Sequence, residues 1–185
     1  GAEFNIEGNP FFDYLPHIRA TRPTQCTLVP DATEAFTSDH GWLLTEPEVE
    51  RLRPVVAEMK ALGCRVSLFM DAEALLEPET VRRVLAVGAD RVELYTEPYA
   101  AAFARGGEAS RASLALYARA TARAAEAGLG VNAGHDLNLD NLPAFLREAP
   151  GVAEVSIGHA LIADALAYGI AATVRKYLAA CGAVL

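Results

Sequence analysis

The sequence predicts an α/β fold built on a parallel sheet, and three observations lead there. Six short runs rich in β-branched and apolar residues recur along 185 residues. Each ends in a polar or glycine-rich turn, and helical patterning fills the intervals between them. The intervals suit right-handed strand–helix–strand crossovers, which make consecutive strands parallel.

The first run is Glu3-Phe4-Asn5-Ile6-Glu7 and the second Gln25-Cys26-Thr27-Leu28-Val29. Between the second and third, Thr45-Glu46-Pro47-Glu48 has the form of a capping box, after which Val55, Val56, Met59 and Leu62 recur at helical spacing until Gly63. The third run, Arg65 to Met70, is followed by a helix over Glu79 to Val87 that stops at Gly88. The fourth, Arg91 to Thr96, leads through a predicted loop over Pro98 to Glu108 into an Ala-rich helix from Ser110 to Ala127. The fifth is Leu129 to Ala133, the sixth Glu154 to Ile157, and one helix from Ala160 to Cys181 closes the pattern. Ala32 to Leu44 reads as a long loop, where function concentrates.

No linker or low-complexity tract divides the chain, so a single domain over residues 1–185 is expected. Two architectures fit, an open doubly wound sheet and a (β/α)₈ barrel. A full barrel usually takes about 250 residues, so length alone favours the open sheet.

Composition narrows the function. Sixteen Lys+Arg against 24 Asp+Glu give a net charge of −8, which argues against a nucleic-acid partner. No apolar run is long enough to span a bilayer, and residues 1–10 lack the features of a signal peptide. Three cysteines, Cys26, Cys64 and Cys181, form no CxxC pair, so a cytoplasmic location is the simpler expectation. No His, Cys and carboxylate set has metal-ligand spacing, and neither GxxxxGK[ST] nor GxGxxG occurs, so neither a metal nor a nucleotide is expected.

Polar residues interrupt the strands. Glu7 ends the first, Glu93 lies inside the fourth, and Asn132 lies inside the fifth with His135 just beyond it. Burying an unpaired carboxylate costs several kcal/mol, so each such group needs a partner, water or ligand. Glu93 could pair with a basic residue on a neighbouring strand, and His159 could be an ordinary helix N-terminal residue. In a parallel sheet, however, Glu7, Thr96, His135, Gly158 and His159 all fall at the C-terminal strand ends, on one face. Two carboxylates and an imidazole there are the equipment of general acid–base catalysis. The Ile157-Gly158-His159-Ala160 turn adds a helix N-terminus where a phosphate can approach unpaired amides.

Seven motifs in order then carry a resemblance over nearly the whole chain: Phe4-Asn5-Ile6-Glu7, Thr27-Leu28-Val29-Pro30-Asp31, Phe36-Thr37-Ser38, Val66 to Asp71, Val92 to Thr96, Val131 to His135, and Ser156 to Ala160. Together the chain resembles the pyridoxine 5′-phosphate synthase family of vitamin B6 biosynthesis. The resemblance implies a (β/α)₈ TIM barrel in place of the open sheet. It implies that Glu3 begins the third barrel strand, so that this sequence covers about six βα units and lacks the first two, with their histidine and arginine-rich phosphate loop.

It further implies condensation of 1-deoxy-D-xylulose 5-phosphate with 3-amino-2-oxopropyl phosphate, releasing phosphate and water. No cofactor or metal is implied, and a homo-oligomer is. By the resemblance Glu7 is a proton acceptor, His135 the proton donor, and Glu93 a carboxylate that stabilises charged intermediates. Thr37 matches a contact to the deoxyxylulose phosphate, and Gly158 and His159 the backbone site for the amino ketone's phosphate. Asp136 stands where much of the family has a substrate-contacting glycine, and Glu97-Pro98 replaces a glycine-containing turn. A carboxylate at 136 must turn away from a phosphate or bind the substrate amine. A non-catalytic truncated barrel that binds a phosphorylated ligand or scaffolds an oligomer is the competing expectation.

Overall fold

The structure is a computed structural model and describes residues 2–182. Six strands, β1 (Asn5–Gly8), β2 (Gln25–Leu28), β3 (Arg65–Met70), β4 (Arg91–Tyr95), β5 (Gly130–Gly134) and β6 (Val152–Ser156), pair in sequence order. Every pairing is parallel. Helices α1 (Leu15–Thr21), α2 (Glu46–Ala61), α3 (Pro78–Val87), α4 (Glu97–Arg105), α5 (Gly107–Glu126), α6 (Leu142–Glu148), α7 (His159–Tyr168) and α8 (Ile170–Ala180) fill the connections and follow β6.

Alternation along the strands divides two environments. Cys26, Leu28, Val66, Leu68, Met70, Val92, Leu94, Val131 and Ala133 point outward into the main apolar core. There they meet Leu52, Val56 and Met59 of α2, Val84 of α3, Tyr99 of α4, Tyr117 and Ala120 of α5, and Phe145 of α6. The alternate residues Gln25, Thr27, Arg65, Ser67, Arg91, Glu93, Asn132, Glu154 and Ser156 share the opposite face.

That face is concave. The Gln25 side chain on β2 donates to Glu154 on β6 at 3.0 Å, and Thr27 on β2 donates to Glu93 on β4 at 3.4 Å. Strands four apart in a flat sheet would stand on the order of 19 Å apart. Only a curled sheet brings such side chains together, so the open-sheet expectation from length is corrected. The physical reason is visible in the hydrogen bonds: polar groups on the inner face find their partners across the arc. β1 and β6 are its two free edges among the described residues.

Two helical details also differ from expectation. The segment from Pro98 to Glu108, expected as loop, holds α4, because Pro98 sits in the first turn where a missing amide costs nothing. The predicted single helix from Ala160 to Cys181 is two helices. Gly169, with φ +79°, breaks the path between α7 and α8. The predicted capping box is present, Thr45 and Glu48 satisfying each other's backbone amides at the start of α2. No described helix is long and apolar enough to cross a membrane.

Candidate active site

A cavity of about 470 Å³ opens at the C-terminal ends of the strands. Glu7, Thr37, Glu93, His135, Asp136, Gly158 and His159, which stand on β1, on three strand-end loops or turns and inside β4, all line it. Asn5, Asn138 and Ser156 line it too and were not singled out in the sequence. The signal for two of them was the two-residue period, since Asn5 precedes Glu7, and Ser156 precedes Gly158, by one alternation.

Glu93 is the deepest of the ionisable groups and has no exposed surface. Its Oε2 accepts one long hydrogen bond from Thr27, while Oε1 is buried without a partner. Ser156 lies near enough to favour the charged form slightly, without meeting hydrogen-bond geometry to either oxygen. Burial, followed by the charges of Glu7 and Glu154, raises its pKa to about 8. The basic partner considered for Glu93 is absent among the described residues. The nearby guanidiniums of Arg65 and Arg91 bond instead to Glu3, Glu154, Gln25 and Asn132. Close packing fixes the carboxyl, for a Cβ at Gly134 would lie 2.3 Å from Oε1.

Glu7 stays open to solvent at the mouth although protein mass crowds it. Desolvation and the neighbouring Asp31 raise its pKa, and solvent access limits that shift. Asp31 itself is held by Ser38, whose hydroxyl donates to it at 2.5 Å, and its carbonyl accepts from Asn9 at 2.9 Å. These contacts tie the start of the Thr37 loop to the turn after β1. Farther along, the Trp42 indole donates to the Leu28 carbonyl at 2.8 Å.

His135 packs its ring 4.9 Å from Phe69 and 5.4 Å from Tyr95, centroid to centroid. Burial lowers its pKa, opposed by the charges of Asp136 and Asp31, so a neutral imidazole prevails at pH 7. His135 and Asp136 both have positive φ, +80° and +57°. Such backbone strain in two consecutive non-glycine residues concentrates at functional sites. The surroundings hold it: Thr96 Oγ1 reaches the carbonyls of Gly134 and His135 at 2.5 Å, and Asn141 donates to the Asp136 carbonyl at 3.0 Å.

Gly158 caps α7, and His159 is its first residue. No atom stands within 4 Å of where a Gly158 side chain would begin, so the first amides of the helix are accessible to an anion from the cavity. No three His, Cys, Asp or Glu side chains among the described residues form a metal-ligand group. The site therefore combines a fully buried carboxyl whose pKa burial raises, a solvent-open carboxyl at the rim, an imidazole whose pKa burial lowers, and a helix start with accessible amides.

Comparison with known proteins places the chain in a family. The family model described as pyridoxal phosphate biosynthesis protein PdxJ matches residues 1–183. A pyridoxine 5′-phosphate synthase of Albidiferax ferrireducens is 54% identical over 181 residues, spanning 95% of this chain and 69% of the relative. One from Xanthomonas campestris is 54% identical over 186 residues, 97% of this chain and 70% of the relative. One from Chelativorans is 51% identical over 182 residues, 98% and 71%. With the match running the length of the strands and through every turn that lines the cavity, this chain belongs to the pyridoxal phosphate biosynthesis protein PdxJ family.

Proposed function

We propose that the cavity carries out pyridoxine 5′-phosphate synthesis, the reaction named for the relatives, by condensing 1-deoxy-D-xylulose 5-phosphate with 3-amino-2-oxopropyl phosphate. The observation that carries this reading is the convergence of Glu7, Glu93 and His135 with the start of α7 on one cavity. Imine formation, dehydration and ring closure each need a proton moved, and groups with differently shifted pKa values can divide that work. The α7 amides at Gly158 and His159 suit the phosphate of the amino ketone, and Thr37 faces the same space for the ketose phosphate. Asp136, beside His135, suits the substrate amine better than a phosphate. No metal or organic cofactor enters the proposed reaction.

The six-stranded arc reads as part of a (β/α)₈ barrel whose closure would place two further strand–helix units between β6 and β1. The apolar surface flanking that gap supports this. Phe4 and Phe12 beside β1, and Ile162, Leu166 and Ile170 on α7 and α8, are exposed, and α7 is strongly apolar with no buried residue. The same surfaces suit a homo-oligomer, and a cytoplasmic site of action suits the three free thiols.

The test is direct. Full-length protein given both substrates yields pyridoxine 5′-phosphate, and Glu7→Gln, Glu93→Gln and His135→Asn each lower turnover by at least about tenfold. Wild-type turnover in all three variants overturns the assignment of these groups.

A further inference from the structure

Below the cavity, one alternation toward the strand starts, the inner face carries a layer of charges. Arg91 donates to Glu154 at 3.0 Å and to Asn132 at 2.8 Å, while Arg65 reaches Glu154 at 3.4 Å and also pairs with Glu3. Gln25 completes it, donating to Glu154 at 3.0 Å and accepting from Arg65 at 2.7 Å. Two guanidiniums thus meet two carboxylates, and the layer is balanced within itself. No positive charge is left over for the carboxyl of Glu93 above it.

Among the described residues the remaining neighbours of Glu93 give it no cation either. β1 presents Glu7 and β6 presents Glu154, both acidic. β2 presents Thr27, β3 places Phe69 opposite it in register, β5 places Asn132 opposite it and Gly134 against its Oε1, and β6 adds Ser156. A carboxylate without exposed surface, with one long hydrogen bond and two acidic neighbours, is electrostatically unfavourable. Its protonated form removes that cost.

We infer that Glu93 rests in the free protein as an uncharged carboxylic acid, a state set by Glu154 engaging the guanidiniums beneath it, and that Glu93 is the proton donor for the first carbonyl attack. This rests on the reading of the cavity as a synthase site, and it replaces the charge-stabilising carboxylate that the family resemblance implies for Glu93. The proton balance closes. As the substrate amine forms its C–N bond, the C=O π bond breaks and its electron pair moves to oxygen, which takes the Glu93 proton. The new ammonium then returns a proton to the Glu93 carboxylate, leaving a neutral carbinolamine and the acid restored. Glu154 acts through Glu93 and is a positioning residue.

Infrared difference spectroscopy on full-length resting protein, without substrates, tests this independently of synthase activity. At pH 7 the wild type should show the carbonyl stretch of a protonated carboxylic acid, and Glu93→Gln should lose it. Glu154→Gln removes an acidic neighbour and frees Arg91, so the band's titration midpoint should fall by at least about one pH unit. Thr27→Val removes the one hydrogen bond that favours the charged form, so the midpoint should rise, which keeps the test decisive if Glu93→Gln does not fold. Absence of the band in the wild type at pH 7, its persistence in Glu93→Gln, or a midpoint that neither Glu154→Gln nor Thr27→Val moves would overturn the inference.

Discussion

At the residue scale the site depends on what is small as much as on what is charged. Gly134 lies beneath Glu93 so closely that a methyl group there would sit 2.3 Å from Oε1 and 3.2 Å from the Ser156 Cβ. Gly134→Ala is therefore expected to expel the Glu93 carboxyl from its position and to lower turnover at least about tenfold, a loss of the size an acid–base group supplies. Far-ultraviolet circular dichroism should stay near that of the wild type, since β5 needs no positive φ at that position. Normal turnover in Gly134→Ala would show that the carboxyl need not be held there. Glu93 itself was legible in the sequence, because a carboxylate inside an apolar strand has few inert explanations. Asn5, Thr27 and Ser156 were not, for a small polar residue in a short strand reads equally well as an edge or a turn. The layer of Gln25, Arg65, Arg91 and Glu154 was hidden for a related reason: three of the four open their strands, where charge is ordinarily taken for solvent exposure.

At the element scale, the strands and the long helices follow from alternation and caps that are local in sequence, and their positions agree to within a few residues. Curvature is not local. It depends on which inner side chains find partners several strands away, as Gln25 finds Glu154 across 129 residues, and no window of sequence contains both. The loop between β2 and α2 is held at several points, and one of them leaves no room for a side chain. Position 41 has no room for a side chain, because a Cβ there would lie 2.5 Å from the Asp71 nitrogen and the Met70 Cα. Its N–H donates to Asp71 at 3.2 Å, which fastens the loop carrying Thr37 to the end of β3. Gly41→Ala meets the Met70–Asp71 backbone and is expected to destabilise the fold by about 2 kcal/mol or more. It should also raise KM for the ketose phosphate, because Thr37 moves with the loop. Chemical denaturation and steady-state kinetics check the two effects separately, and an unchanged denaturation midpoint would mean that the loop is not fastened at this point.

At the scale of the whole molecule, the buried acid makes stability depend on pH in a direction opposite to ordinary acid denaturation. An unfolded glutamate ionises near 4.5, whereas folded Glu93 keeps its proton to about 8. Between those values the folded chain binds a proton that the unfolded chain has released, so stability declines as pH rises, by at most about 1.4 kcal/mol per pH unit for this one group. Glu7, also raised, acts in the same direction. His135 opposes them, because its lowered pKa leaves the folded form less protonated than the unfolded, but only below the ordinary histidine value of 6.5. Cys26, pushed up from 9.0 to about 12, lowers stability with rising pH only from about pH 9 upward, above this window. From pH 6.5 to 8 Glu93 therefore dominates. The urea midpoint of the wild type should fall across that interval, whereas that of Glu93→Gln, which has no proton to lose there, should stay nearly level. Parallel slopes in the two proteins would mean that Glu93 is already ionised at neutral pH, and that the charge layer beneath it does not isolate it.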